Sequence, residues 1–154
     1  MRTVFIAFWL LLPVAIAAEF SAGMGAYMAF LDQPPAPVYG ASLRIPLPAR
    51  FGVRPEFWTG TQGAWTHTVV GGSVTYDLSR RNRRVVPYIV GTVGAVFSTY
   101  DPIAYTSTAR AALVGFGVRY SFADKWVIDG EFRAGQSAYP LTTFQIGYRW
   151  NKRK

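Results

Sequence analysis

Residues 144–150 read FQIGYRW, and every second side chain in this stretch is large and apolar. The apolar positions are Phe144, Ile146, Tyr148 and Trp150, and the positions between them are Gln145, Gly147 and Arg149. A period of two predicts a β-strand with one apolar face and one polar face. A water-soluble sheet would cover such an apolar face with a second layer. Because the same alternation recurs along most of the chain, we expect lipid to be the cover.

The composition also favours a membrane protein that crosses the bilayer with strands. The chain has 154 residues, which predicts one domain, and only 16% of them are charged, against roughly 25% in soluble domains. No apolar run after the N-terminus approaches the roughly 20 residues that a membrane-spanning helix needs. Cysteine is absent, which excludes a disulfide framework and a thiolate metal site.

Residues 1–18 have the features of a cleaved secretory signal peptide. Arg2 supplies the positive start, residues 4–12 form a short apolar core, and residues 15–18, AIAA, resemble a cleavage site. The alternative is a membrane anchor, but the apolar core is short for a bilayer span. We therefore predict a signal peptide at 1–18, a barrel at 19–150 and a basic periplasmic tail at 151–154.

Period-two alternation divides residues 19–150 into eight strands. An even number of strands brings both chain ends to one side, and bacterial outer-membrane barrels place that side in the periplasm. The predicted fold is all-β, an eight-stranded antiparallel up-and-down transmembrane β-barrel. The predicted strands begin near 19, 38, 51, 64, 85, 108, 126 and 141, and the first ends at Phe30. The longest predicted loop is at 100–107, and a short loop is predicted at 136–140.

Several stretches resemble the small outer-membrane barrels of the OmpA/OmpX type. They are VPYIVGTVG at 86–94, GFGVRY at 115–120, DKW at 124–126, GEFR at 130–133 and GYRW at 147–150. The resemblance implies export to a bacterial outer membrane and insertion by the barrel-assembly machinery. It also implies a C-terminal insertion signal, and it carries almost no information on function. The residues of that signal are Phe144, Ile146, Gly147, Tyr148 and Trp150.

The polar face of the predicted strands carries charges of both signs. An eight-stranded barrel is narrow, so long charged side chains inside it must meet and pair. We predict a salt-bridged plug that fills the barrel and fixes its register, with a gated pore or a ligand site as the alternative. The predicted network contains Arg44, Arg54, Glu56, Asp77, Arg119, Asp129, Glu131, Arg133 and Arg149, five cations and four anions.

Basic residues are concentrated in two places that share the predicted periplasmic side. The formal net charge is +8, and it falls to +7 when Arg2 leaves with the signal peptide. Such clusters favour electrostatic attraction to anionic lipid headgroups or to an acidic periplasmic partner. Binding to nucleic acid fits an exported apolar chain poorly. The clusters consist of Arg80, Arg81, Arg83, Arg84, Lys152, Arg153 and Lys154.

The sequence offers little support for catalysis, a cofactor or a metal site. His67 is the only histidine, and the nucleophile or acid candidates around it are Ser73, Ser98, Ser107 and Asp101. Outer-membrane lipid A deacylases carry His-x-Ser on a late strand, whereas residues 133–137 read RAGQS. A lipid A-modifying enzyme, a small passive pore and a soluble lipocalin-like carrier remain as alternatives to a structural or interaction role.

Aromatic residues lie near the ends of the predicted strands, where barrels place their membrane-interface girdles. The alternative for these side chains is a platform on which sugars stack. A girdle would extend the predicted contacts with outer-membrane lipid and lipopolysaccharide. The residues are Trp58, Trp65, Trp126, Trp150, Tyr100, Tyr105 and Tyr139.

Overall fold

The structure is a computed structural model that describes residues 18–27, 35–80, 83–136 and 138–150. The predicted signal peptide up to residue 17, the end of the predicted first strand at Phe30 and the predicted tail at 151–154 lie outside these ranges. Within them the chain forms β1 (Glu19–Tyr27), β2 (Ala36–Pro46), β3 (Phe51–Gln62), β4 (Trp65–Asp77), β5 (Val85–Tyr100), β6 (Tyr105–Ser121), β7 (Trp126–Gln136) and β8 (Ala138–Arg149).

Each strand pairs with the next in antiparallel fashion, and β1 pairs with β8 to close the barrel. The prediction of an eight-stranded antiparallel up-and-down barrel is therefore confirmed. No helix in the described ranges is long and apolar enough to cross a membrane. Glu19, the first residue of β1, pairs with Arg149, the last residue of β8. The start of the first strand and the end of the last strand therefore lie at the same end of the barrel, which we call the terminal end. The opposite end is the distal end.

The barrel closes with a stagger between its first and last strands. We start at Gly25 and step from each residue to its partner on the next strand. Through β2, β3, β4 and β5 these steps lead to Ser107 of β6. Followed the other way, through β8 and β7, they lead to Gly117 of the same strand. The shift is ten residues. Such a stagger tilts the strands, and because the shift is even, the inward and outward faces stay continuous around the barrel.

The two faces differ sharply in chemistry. Outward side chains are apolar and open, as at Val93 and Val114, which are 69% and 71% exposed. Inward side chains include most of the buried polar and charged residues. A soluble lipocalin-like carrier would place its apolar face inside. The structure contradicts that alternative, since the apolar surface points outward, where a bilayer would cover it.

The predicted long loop at 100–107 is wrong. β5 continues to Tyr100 and β6 begins at Tyr105, so only a 3-10 turn at Asp101–Ile103 and Ala104 join them. The Asp-Pro pair suggested a loop, but the flanking threonines and tyrosines are good strand formers that pair across the hairpin. The predicted loop at 136–140 also shrinks, because β7 reaches Gln136 and β8 starts at Ala138.

The stagger leaves one side of the distal end taller than the other. β6 pairs with β5 as far as Tyr105, but it pairs with β7 only from Ala112 onward. β4 reaches the same level, since Trp65 pairs with Tyr100. Residues 105–110 are exposed on both faces. We call this part of the sheet, residues 65–68, 97–100 and 105–110, the distal extension.

Candidate functional site

Among the described residues, ten charged side chains are buried inside the barrel, each at most 7% exposed. They include all nine residues of the predicted network, and Glu19 is the tenth. Five cations therefore face five anions, one anion more than the predicted network contains. Glu19 was missed because it stands at the very start of β1. Its position two residues before the inward Ser21 was the signal that could have found it.

Arg119 is the centre of a first group of ion pairs near the terminal end. Its guanidinium nitrogens lie 3.1 Å from Asp129, 3.4 Å from Glu19 and 3.4 Å from Asp77. The guanidinium is fully buried, so these carboxylates take the place of water around it. Four strands, β1, β4, β6 and β7, supply the charges of this group.

Arg44 and Arg149 complete this group, which we call the terminal cluster. Nη2 of Arg44 donates to both carboxylate oxygens of Asp77, at 3.0 and 2.9 Å. Nη2 and Nε of Arg149 donate to one oxygen of Glu19, at 2.8 and 3.2 Å. With Arg119 and Asp129 the cluster holds three arginines and three acids, and its formal charge is zero.

A second group, the central cluster, lies further inside the barrel. Nη2 of Arg54 donates to both oxygens of Glu131, at 3.0 and 2.8 Å. Arg133 donates to Glu131 through Nε and to Glu56 through Nη2, the latter at 2.7 Å. Arg54 also lies 3.7 Å from Glu56. Two arginines and two glutamates again sum to zero charge, and each glutamate contacts both arginines.

Neutral side chains complete the central cluster and link it to the terminal cluster. The Tyr88 hydroxyl donates to Glu131 at 2.8 Å, and the guanidinium of Arg119 lies 4.9 Å from the centre of the Tyr88 ring. Thr92 accepts a hydrogen bond from Arg133 at 2.9 Å. Tyr88 thus touches one charge of each cluster, so the two clusters form one continuous polar interior.

The distal part of the interior is apolar. Ala36, Val38, Trp58, Val69 and Leu141 pack together there, each at most 5% exposed, and we call them the distal plug. Trp58 is completely buried, so its predicted place in a lipid-facing girdle is wrong. Alternation explains the error, because Trp58 shares the inward face with Arg54 and Glu56. Its indole Nε1 donates to Glu56 at 3.3 Å, which joins the plug to the central cluster.

The residues of the predicted insertion signal divide between the two faces of β8. Phe144, Ile146 and Trp150 are exposed on the outer surface. Tyr148 packs edge-on against Trp126 and Trp150, with ring centres 5.3 and 6.0 Å apart. Outward aromatic rings therefore do gather at the terminal end.

Gly147 is the inward member of that signal. A side chain there would collide with Ser21 and Val127, which occupy the interior beside it. Its lack of a side chain lets the interior close at this level of the barrel.

The described basic residues of the predicted clusters lie on turns at the terminal end. Arg80, Arg83 and Arg84 are exposed in the turn between β4 and β5. The turn between β2 and β3 adds the exposed Arg50, and the turn between β6 and β7 adds Lys125. We call these five residues the basic rim. Arg81, Lys152, Arg153 and Lys154 lie outside the described residues.

The structure brings only one of the catalytic candidates to the histidine. Nδ1 of His67 lies 2.9 Å from the hydroxyl of Ser98. Ser73 instead contacts Glu56 and Thr92 inside the barrel, at 2.5 and 2.8 Å. In the described ranges no carboxylate is hydrogen-bonded to the imidazole to orient it, and no group of three acids, histidines or cysteines could hold a metal ion.

The known structures that share this architecture include bacterial outer-membrane barrels and designed transmembrane barrels. The N-terminal barrel of Pseudomonas aeruginosa OprF is 14% identical, with a TM-score of 0.69, over 87% of this chain and 97% of that one. Neisserial surface protein A is 14% identical, with a TM-score of 0.62, over 86% and 94%. Ail of Yersinia pestis, solved with the heparin analogue sucrose octasulfate, is 14% identical, with a TM-score of 0.59, over 86% and 97%.

No protein-family model matches this chain, and no curated protein matches it either. The likeness to the solved structures concerns the fold: the chain is a small eight-stranded barrel of the outer-membrane type.

Proposed function

We propose that this chain is an integral protein of a bacterial outer membrane with a structural or interaction role and without enzymatic activity. The observation that carries the proposal is the way the barrel is filled. The terminal and central clusters occupy the polar interior, and the distal plug occupies the other end. A barrel of eight strands has just enough room for its own side chains. All chemistry toward partners is then left to its rims and its outer surface.

Single-channel recording in planar bilayers tests the filled interior. The purified barrel should produce no discrete current steps, because the paired charges and the plug occupy the interior. Heat-modifiable gel migration, a faster band that slows after boiling, verifies that the inserted protein is folded. Regular conductance steps from the folded form would instead support the passive pore.

The basic rim points to the interaction that the barrel makes at its terminal end. All three described turns at that end carry a basic residue. In the described parts of these turns, the exposed acidic residue is Asp124. At the distal end the exposed charges of the described residues are Asp101 and Arg110, one of each sign. This asymmetry favours anionic headgroups of the inner leaflet as the partner of the rim. The predicted tail at 151–154 would add to it.

Vesicle binding measures this interaction. The variant carries Gln in place of Arg80, Arg83 and Arg84. The wild type and the variant are each reconstituted into phosphatidylcholine vesicles with and without phosphatidylglycerol. Lipid retained after detergent exchange should be enriched in phosphatidylglycerol for the wild type, and the enrichment should fall for the variant and in high salt. Arg110→Gln at the distal end is the matched control and should leave the enrichment unchanged. An unchanged enrichment in the triple variant would remove the rim from the proposal.

One contact favours a second candidate function, a lipid A-modifying hydrolase. It is the hydrogen bond between His67 and Ser98, which pairs a base with a nucleophile. Mass spectrometry of lipid A from cells that express the barrel distinguishes the two functions. We expect identical lipid A with the wild type and with His67→Ala. A mass change that disappears in the variant would establish the enzyme.

A further inference from the structure

Aromatic side chains on the distal extension face the axis of the barrel rather than the lipid. On β4, Val69 belongs to the distal plug, and His67 and Trp65 follow it at alternate positions on the same face. On β5, Val96 packs against the plug, and Tyr100 lies four residues further along the same face. These rings therefore stand directly above the plug that closes the interior.

The rings form one surface, which we call the distal shelf. The rings of Trp65 and His67 are nearly parallel, with planes 8° apart and ring centres at 6.3 Å. Tyr100 lies beside Trp65 at 5.0 Å with its plane tilted by 43°, and it pairs with Tyr105 across the hairpin. Trp65 is 37% exposed and Tyr105 is 55% exposed. The shelf consists of Trp65, His67, Tyr100 and Tyr105.

A membrane girdle does not explain the shelf. Girdle aromatics point outward at the edges of the apolar band, whereas these rings point toward the axis. Their level also lies beyond the band, because outward positions turn polar there. The last apolar outward position of β5 is Phe97, and beyond it the outward side chains beside Trp65, Tyr100 and Tyr105 are Thr66, Thr99 and Thr106. The predicted girdle role of Trp65, Tyr100 and Tyr105 is therefore replaced by a surface that faces water.

The chemistry of the shelf selects its ligand. Aromatic faces carry negative charge density that attracts polarised C–H groups, such as those on the flat face of a pyranose ring. Hydroxyls for the sugar's polar edge stand beside the rings at Ser98 and Ser107, which pair across β5 and β6. None of these side chains is charged at pH 8, where an ordinary imidazole is neutral. The nearby Asp101 is hydrogen-bonded to Thr66.

We propose that the distal shelf binds a neutral oligosaccharide, which stacks on Trp65 and Tyr105 and donates to or accepts from the hydroxyls of Ser98 and Ser107. The distal plug, which contains the fully buried Trp58, lies below this site on the same inward face. The ligand thus rests on the barrel and does not enter it. The proposal concerns the distal end and does not depend on the basic rim.

Saturation-transfer NMR and isothermal titration at pH 8 test the proposal with the full-length barrel in nanodiscs. The probes are maltohexaose, cellohexaose and chitohexaose, with a heparin hexasaccharide as the charged comparison. At least one neutral probe should bind more tightly than the heparin fragment. Trp65→Ala should weaken that binding about tenfold, and Tyr105→Ala should weaken it by a smaller factor.

The control for these variants is Trp126→Ala, which removes an exposed aromatic ring at the terminal end and should leave sugar binding unchanged. Heat-modifiable migration confirms that each variant is folded. Three results would overturn the proposal: none of the neutral probes binds at 10 mM, roughly the weakest affinity that these methods detect; only the heparin fragment binds; or folded Trp65→Ala binds as well as the wild type.

Discussion

The ionic part of the interior and the distal plug fill the same narrow barrel by opposite means. In the terminal and central clusters, ten buried charges stand in two neutral groups, and each carboxylate lies beside at least one guanidinium. In the plug, five apolar side chains pack without charge. Packing tolerates changes of shape, whereas a buried charge requires a partner of opposite sign at a fixed place. We propose that the ionic clusters set the strand register and that the plug seals the barrel.

Glu131→Ala should have the largest effect, because it leaves Arg54 and Arg133 without one of their carboxylates. Breaking a buried pair from one side costs about 3–5 kcal/mol. Urea unfolding in lipid vesicles should show a loss of this size. Glu131→Gln keeps the shape and removes the charge, so it serves as the matched variant and should also destabilise the barrel. A loss below about 1 kcal/mol for both would mean that the central cluster contributes little.

Leu141→Ala in the distal plug should cost less than Glu131→Ala if the comparison holds. The side chain is 1% exposed, and truncation of a buried leucine costs about 2–5 kcal/mol. We expect a loss in the lower half of that range, because neighbouring side chains can move into the space that the truncation leaves. The same unfolding assay gives the value, and planar-bilayer recording shows whether the seal is lost. A cost above that of Glu131→Ala would place the dominant interior contribution in the plug.

Tyr88→Phe should have the smallest effect of the three, and it sharpens the link between the clusters. The change removes the hydroxyl that bonds to Glu131 and keeps the ring beside Arg119. A hydrogen bond to a charged group contributes about 1.5–3 kcal/mol. Because Glu131 keeps its two arginines, we expect the lower end of that range. An unchanged midpoint in urea unfolding would show that the hydroxyl does not contribute to stability.

The fold could be predicted from the sequence because a membrane barrel repeats one rule at every position. Alternation assigned the inward face on each strand, and it brought nine of the ten buried charges together before any geometry was known. Glu19 is the exception, because it is the first residue of β1 and the predicted network omits it, although alternation with the inward Ser21 places it on the same face. Trp58 lies near the end of the predicted third strand, which suggests a girdle, but alternation with Arg54 and Glu56 turns its side chain inward.

The partners of each charge could not be read from the sequence. Arg54 pairs with Glu131 across the interior although the two residues are on β3 and β7. That contact depends on the stagger of ten residues, which follows from the closure of the whole sheet. The distal extension was hidden for the same reason. The sequence suggested a loop around Asp101-Pro102, and only the stagger shows that β6 rises past the end of β7.

A double-mutant cycle on Arg54 and Glu131 tests the central claim most directly. Unfolding free energies are measured for the wild type, Arg54→Met, Glu131→Met and the double variant in the same vesicles. Charge pairing predicts that the double variant is more stable than the sum of the single losses implies, with a coupling of about 2 kcal/mol or more. Losses that simply add would contradict the account, because the interior would then be held by packing alone.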